Sequence, residues 1–244
     1  MKQIYAFETK EEYGRYQEVI ERFNKKLEDY QRLLEDNYPL TTLPKGVVWT
    51  SEDLATTLFS DVPIPAYTDR DVIYISPDLE AWRKLLIRQV DAYDIPEIKE
   101  FYENCSEDYL FTILAHELTH YSGAFSKEDN NWFEEGMCDY LSRKLVLEER
   151  EFKEITNIEL VLVEVHKERY GGHSLEDFGR PSDQGTILIN RMFDFWRSYL
   201  AVEFLVEVRA SNDVEMILNE YKNWDREGRV IPLTEHFEME DFFN

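Results

Sequence analysis

His116-Glu117-Leu118-Thr119-His120 decides the reading of this chain, together with the residues that put it on a helix. Leu110, Phe111, Leu114, Ala115 and Leu118 recur at helical spacing and mark one face of a helix that starts near Ser106 and stops at Gly123. Positions four apart project from neighbouring turns of one face, so His116 and His120 can offer their imidazoles to a single ion. Glu117 is turned aside, close enough to hold a water at the metal without ligating it. The plain alternative is a helix that happens to carry two histidines and a glutamate. Against it, two of the chain's five histidines lie in this one segment, in helical context.

Two ligands do not complete the site, because catalytic zinc takes three protein ligands and keeps a fourth position open. After a polar turn, the segment Asn131-Trp132-Phe133-Glu134-Glu135-Gly136-Met137-Cys138-Asp139-Tyr140-Leu141 reads as the next helix. A helix hairpin would bring it back alongside the first. It supplies two glutamates and an aspartate. Trp132, Phe133, Leu141 and Leu145 follow helical spacing and read as core.

His-Glu-x-x-His followed by Trp-Phe-x-Glu-Gly-x-x-Asp-Tyr resembles the gluzincin zinc peptidases, and the likeness covers mainly residues 106 to 145. The resemblance implies an α+β, mostly helical zincin-like fold, with a small N-terminal sheet and a helical C-terminal lobe. It implies one Zn2+ held by His116, His120 and a glutamate on the following helix, either Glu134 or Glu135. An aspartate four residues after the ligand supports a zinc histidine in several such families. Glu135 with Asp139 fits that spacing, which makes Glu135 the expected ligand, Asp139 its orienting partner and Glu134 part of a solvated face.

By the same resemblance Glu117 is the general base, taking a proton from the attacking water and passing it to the leaving amine. The oxyanion donor is a downstream Tyr or His, so the candidates are Tyr199, His173, His166 and Tyr170, with Tyr199 first and His173 second. A peptide or protein substrate would add to the edge of the sheet before the metal helix, for which Val72–Ile75 is the candidate; an interior strand is the equal alternative for that apolar run. The Gly-x-Met-Glu-Asn element of the aminopeptidase relatives is absent, which favours internal cleavage over N-terminal trimming. A gluzincin-like module that keeps zinc but binds or regulates is the competing reading. A closed structural zinc site would not require Glu117.

Outward from this centre, Thr9 with Glu12 reads as a capping box that opens a long amphipathic helix through Tyr13, Tyr16, Ile20, Phe23, Leu27, Tyr30 and Leu34. Its seven-residue repeat fits a coiled coil, but in a chain with a large core it is expected to pack on its own domain. Pro39, Pro44 and Gly46 break the pattern, and Val47-Val48-Trp49 and Val72-Ile73-Tyr74-Ile75 read as short strands. Ser76 with Pro77 is expected to open a helix through about Tyr93, and Asp94 with Pro96 another. From Ser106 onward the chain reads mostly as helix, interrupted by a glycine-bearing loop from Gly171 to Gly185. His173 lies in that loop beside Ser174, a helix cap, and His236 reads as a surface histidine. The expectation is one domain over residues 1–244: an N-terminal helical region (1–45), the sheet with the metal-binding helices (46–149) and a helical C-terminal lobe (150–244).

Fifty-one acidic side chains against 27 basic ones give a formal charge of −24, which opposes nucleic acid and anionic membrane surfaces as partners. The aromatic content, 15 Tyr and 15 Phe, argues for a packed core over disorder. Cys105 and Cys138 have neither metal-site spacing nor the density of a disulfide scaffold. No apolar run approaches a membrane span, and the first eight residues turn charged before any signal-like stretch, so a cytoplasmic location is expected. The oligomeric state is not legible.

Overall fold

In the computed structural model, which describes residues 1–38, 40, 42–57, 66–88, 90, 95–125, 132–179, 187–240 and 242–243, the heptad-spaced residues of the N-terminal region form a single helix, α1 (Lys10–Asn37). The Thr9 hydroxyl accepts from the Glu12 amide at 3.1 Å, and the Glu12 carboxylate accepts from the Glu8 amide at 3.0 Å. The Thr9 half of the box forms as the spacing predicts, while the Glu12 carboxylate reaches one residue further back, to Glu8, instead of to the Thr9 amide. Ile20, Phe23, Leu27, Tyr30 and Leu34 are buried along one stripe. The stripe packs within its own domain: Phe23 meets Trp49 and Phe111 edge-on.

The chain divides into two compact units, Met1–Gly123 with Leu145–Leu147, and Ala124–Lys144 with Glu148–Asn244. The first holds a mixed four-stranded sheet in the order β1 (Lys2–Ala6), β2 (Gly46–Thr50), β4 (Val72–Ile75), β3 (Ala66–Asp69). β1 and β4 run parallel to β2, and β3 is antiparallel to β4. Val72–Ile75 is therefore interior, hydrogen-bonded on both sides, which is why it is a continuous apolar run. Among the described residues the edge strands are β1 and, on the side of β4, β3, joined to β4 through Arg70 and Asp71, both with positive φ (47° and 64°). Two consecutive left-handed residues make the tight turn whose twist suits a hairpin.

Four further helices complete this unit: α2 (Glu52–Thr57), α3 (Leu79–Arg88), α4 (Pro96–Asn104) and α5 (Glu107–Thr119). α3 begins later than the Ser76-Pro77 signal predicts. The Asp78 carboxylate accepts from the amides of Glu80 and Ala81 at 3.1 and 3.0 Å, so Asp78 is the cap and the Ser76 hydroxyl bonds only the Asp78 amide, at 3.2 Å. Tyr93, Asp94 and Asn131, with residues 180–186 of the glycine-bearing loop, lie outside the described residues.

The second unit carries α6 (Trp132–Val146), α7 (Glu149–Tyr170), a 3-10 turn at Leu175–Asp177, α8 (Ile187–Glu203), which continues as a π-helical turn over Phe204–Arg209, then α9 (Val214–Arg226) and α10 (Leu233–His236). Its core includes an aromatic stack of Phe133 on Tyr221 at 4.6 Å and on Phe237 at 5.3 Å. Gly136 lets α6 approach α8: a Cβ there would stand 2.2 Å from the Ser198 carbonyl oxygen. The fold is thus mostly helical with one small mixed sheet. Among the described residues, no helix is long and apolar enough to cross a membrane.

Candidate metal centre

α5 is capped by Ser106, whose hydroxyl accepts from the Tyr109 amide at 2.9 Å. Phe111 anchors it by edge contacts with Phe23 and Tyr30. Near its end the Thr119 hydroxyl donates to the Ala115 carbonyl at 2.8 Å, so the Tyr30 hydroxyl, 2.6 Å away, is the donor in their contact. A buried hydrogen bond from α1 thereby holds the C-terminal end of α5, where His116 lies in the last turns and His120 is the C-cap.

There the Nε2 atoms of His116 and His120 lie 3.1 Å apart, with ring centroids 4.9 Å apart and planes at 75°. Two imidazole nitrogens bound tetrahedrally to one zinc at about 2.0–2.1 Å would stand roughly 3.3 Å apart, so the pair is set near chelating separation. His116 is buried and His120 half-buried. Both sit at the C-terminal end of α5, where the helix dipole favours positive charge.

Glu117, half-buried between them in sequence, accepts a hydrogen bond at Oε2 from the hydroxyl of Thr68 on β3. Tyr121 follows His120, and burial, with help from the charges of Asp71 and Glu117, pushes its phenol up to about 12. It is therefore protonated at neutral pH. Sequence reasoning missed both Thr68 and Tyr121. The only signal for Tyr121 was its place next to the second histidine, and nothing local marked Thr68.

In the second unit Glu135 is buried in the first turn of α6. Glu134, expected on a solvated face, is also buried, at 8% exposure against 6% for Glu135. The reason is that α6 has almost no solvated face: Trp132 through Cys138 and Tyr140 through Arg143 are all buried. Taken one atom per residue, a ring nitrogen of His116, a ring nitrogen of His120 and a carboxylate oxygen of Glu135 lie within 4.8 Å of one another, a group that could hold a metal ion.

Asp139 lies 3.7 Å from the guanidinium of Arg143, which in turn pairs with Glu159 at 2.8 Å. Burial works against the charge on Arg143, but Glu159 and Asp139 outweigh it and hold its pKa well above the ordinary value. Burial pushes the Glu159 carboxyl up to about 7 against the pull of Arg143. The same guanidinium lies 4.0 Å from the centre of the Tyr199 ring.

Tyr199 is fully buried. The Thr156 hydroxyl donates to the Phe152 carbonyl at 3.0 Å, so at 2.6 Å it accepts from Tyr199. The one proton Tyr199 could give to an oxyanion is committed within the core of its own unit. His173 is held by the Asp194 carboxylate at 2.8 Å, and Arg197 bonds both that carboxylate, at 3.0 Å, and the His173 carbonyl, at 2.8 Å. Ser174 caps the 3-10 turn, as its position predicts. His166 is buried against Tyr170 and Trp196, with Nδ1 2.8 Å from the Leu162 carbonyl. His236 is half-buried beside Phe237.

In comparisons with known proteins, no family model matches the chain, and neither a curated protein nor a solved structure matches it significantly.

Proposed function

We propose that this chain is a zinc metallopeptidase of the zincin-like, gluzincin type, with one Zn2+ held by His116, His120 and Glu135. The observation that carries the reading is the 3.1 Å separation of the two Nε2 atoms at the C-terminal end of α5. Two nitrogens held this way and a buried carboxylate make a donor set suited to zinc, and the set leaves a fourth position for chemistry. When bound, zinc acts as a Lewis acid, polarising a carbonyl and making water acidic near neutral pH.

Glu117 then has a defined task. As a half-buried carboxylate beside the ligands, it takes the proton of the attacking water and returns it to the leaving amine. Asp139, fixed by Arg143, orients a zinc histidine. An extended peptide lies along β3, the edge strand whose Thr68 already touches Glu117. Tyr199 and His173 are given no part in the reaction, since their hydrogen bonds are made to Thr156 and Asp194. Cys105 and Cys138 are both buried and form no disulfide, which agrees with a reducing compartment such as the cytosol.

The test is incubation of the purified protein with a mixed peptide library and mass-spectrometric detection of new termini, beside Glu117→Gln and metal analysis of both. Cleavage by the wild type alone, with zinc in both proteins, is the expected result. Zinc in both and cleavage by neither would mean a binding module instead, and no zinc in either would remove the proposal.

A further inference from the structure

The hydroxyl of Thr68 is the contact to Glu117 that no motif announces. β3 alternates: Ala66 and Thr68 share one face of the strand, while Tyr67 stacks on Tyr74 on the other, with ring centroids 4.9 Å apart and planes at 4°. Ala66 is buried, and Ile73, opposite Thr68 in the ladder, is fully buried. The hairpin therefore fixes which way Thr68 points, towards the side on which β3 packs against α5. There its hydroxyl donates to Glu117 Oε2.

A carboxylate acting as a base has two oxygens and a freely turning terminal torsion. A donor on Oε2 removes that freedom and leaves Oε1 to accept the proton. The donor costs little flexibility itself, because threonine is stiff at χ1 and Thr68 sits in a ladder-paired strand. Since Glu117 belongs to α5 and Thr68 to the edge strand, this one bond also ties the base to the strand on which a peptide would lie.

We propose that Thr68 is a positioning residue for Glu117, holding its carboxylate in the orientation that receives the proton. The inference rests on the peptidase reading above and deepens it. Thr68 makes no contact with the reacting atoms in this scheme. It acts through Glu117 alone, so its loss should lower kcat and leave KM near the wild-type value.

Thr68→Val keeps the shape and strand preference and removes the hydroxyl; Thr68→Ser keeps the hydroxyl. With zinc content unchanged in all three proteins, Thr68→Val is expected to lose about 10–100-fold in kcat, the usual scale for a group orienting a site residue, and Thr68→Ser to recover most of it. A second readout needs neither metal nor turnover: in crystal structures of the zinc-free proteins, the Glu117 carboxylate should take one orientation in wild type and Thr68→Ser and more than one in Thr68→Val. Wild-type kcat in Thr68→Val, or an unchanged Glu117 orientation, overturns the inference while leaving the peptidase reading intact. Absence of cleavage by the wild type overturns both, and the crystal structures then show separately whether the Thr68 contact exists.

Discussion

Two kinds of polar cluster, one in each unit, are built in opposite ways. In the second, Arg143, Glu159, Tyr199 and Thr156 answer one another: a guanidinium meets a carboxylate at 2.8 Å, and a phenol and a hydroxyl meet at 2.6 Å. His173, Asp194 and Arg197 do the same. Donors face acceptors, although the buried Arg197 Nε has no hydrogen-bond partner among the described residues, and such complementary sets serve the fold. In the first unit, two imidazoles aim like nitrogens at each other across 3.1 Å. A pair of bases at that distance is completed by something electron-poor, a proton or a cation. A site for chemistry is read where groups of one kind converge, and a structural cluster where complementary groups do.

If that contrast is right, damage to the two clusters should separate cleanly. His116→Ala should weaken zinc binding by more than about a hundredfold, since removing even an orienting neighbour of a ligand costs about 10–100-fold. Titration against a chelator measures this, and the metal-free protein should unfold at nearly the same urea concentration as wild type. Comparable zinc affinity in the two proteins would erase the distinction from the functional side.

Arg143→Ala tests the other side. It leaves Glu159 as a buried carboxylate without its 2.8 Å partner, and breaking such a pair costs about 3–5 kcal/mol. Urea denaturation would show it. The pair also gives stability a pH dependence. Burial raises Glu159 to about 7 in the folded chain, above its unfolded value, so the folded state binds the proton more tightly. Its contribution is fully present below the unfolded pKa and is lost as pH rises through about 7. Between pH 5 and 8 the melting temperature of the wild type should therefore fall more than that of Glu159→Gln. Parallel curves would show that Glu159 does not titrate in this range.

Gly136→Ala carries a smaller effect and separates local from tertiary rules. By helix propensity alone alanine would gain about 1 kcal/mol. Here its Cβ meets a backbone carbonyl at 2.2 Å, which cannot swing aside as a flexible side chain would. Overpacking of this kind costs about 1–3 kcal/mol. Thermal unfolding should show destabilisation, and a higher melting temperature would mean the approach of α6 to α8 is looser than described.

Which parts were legible in the sequence follows the same line between local and tertiary causes. The stripe of α1, the cap at Thr9, the start of α5 near Ser106 and the pairing of His116 with His120 depend on spacing along one helix, and the sequence carries spacing directly. β3 was invisible because Ala66–Asp69 lacks the apolar β-branched run that marks β4, and its turn uses Arg70-Asp71, with none of the Asn or Gly that usually marks two left-handed positions. The burial of Glu134 and the commitment of the Tyr199 proton were hidden because periodicity reports which face a residue occupies, not how many faces are covered. Thr68 lies 49 residues from Glu117, beyond any local signal.

The finest test concerns how firmly the scaffold holds the histidine pair. Tyr30 on α1 donates to Thr119 on α5, one residue before His120. Tyr30→Phe deletes that donor and little else, since the ring stays packed against Phe111. The loss should be about 1 kcal/mol of stability, the net worth of a typical buried hydrogen bond. If the last turn of α5 relies on this bond for its position, zinc affinity falls as well, by less than about tenfold, because a drop of that size would take about 1.4 kcal/mol, more than the bond itself is worth. Equal affinities with reduced stability would mean that the helix alone sets the spacing of the histidines. A parallel loss of both would mean that the packing around Tyr30 and the histidine pair beside it are one mechanical unit, and the contrast between structural and functional polar groups would then hold for their chemistry but not for their support.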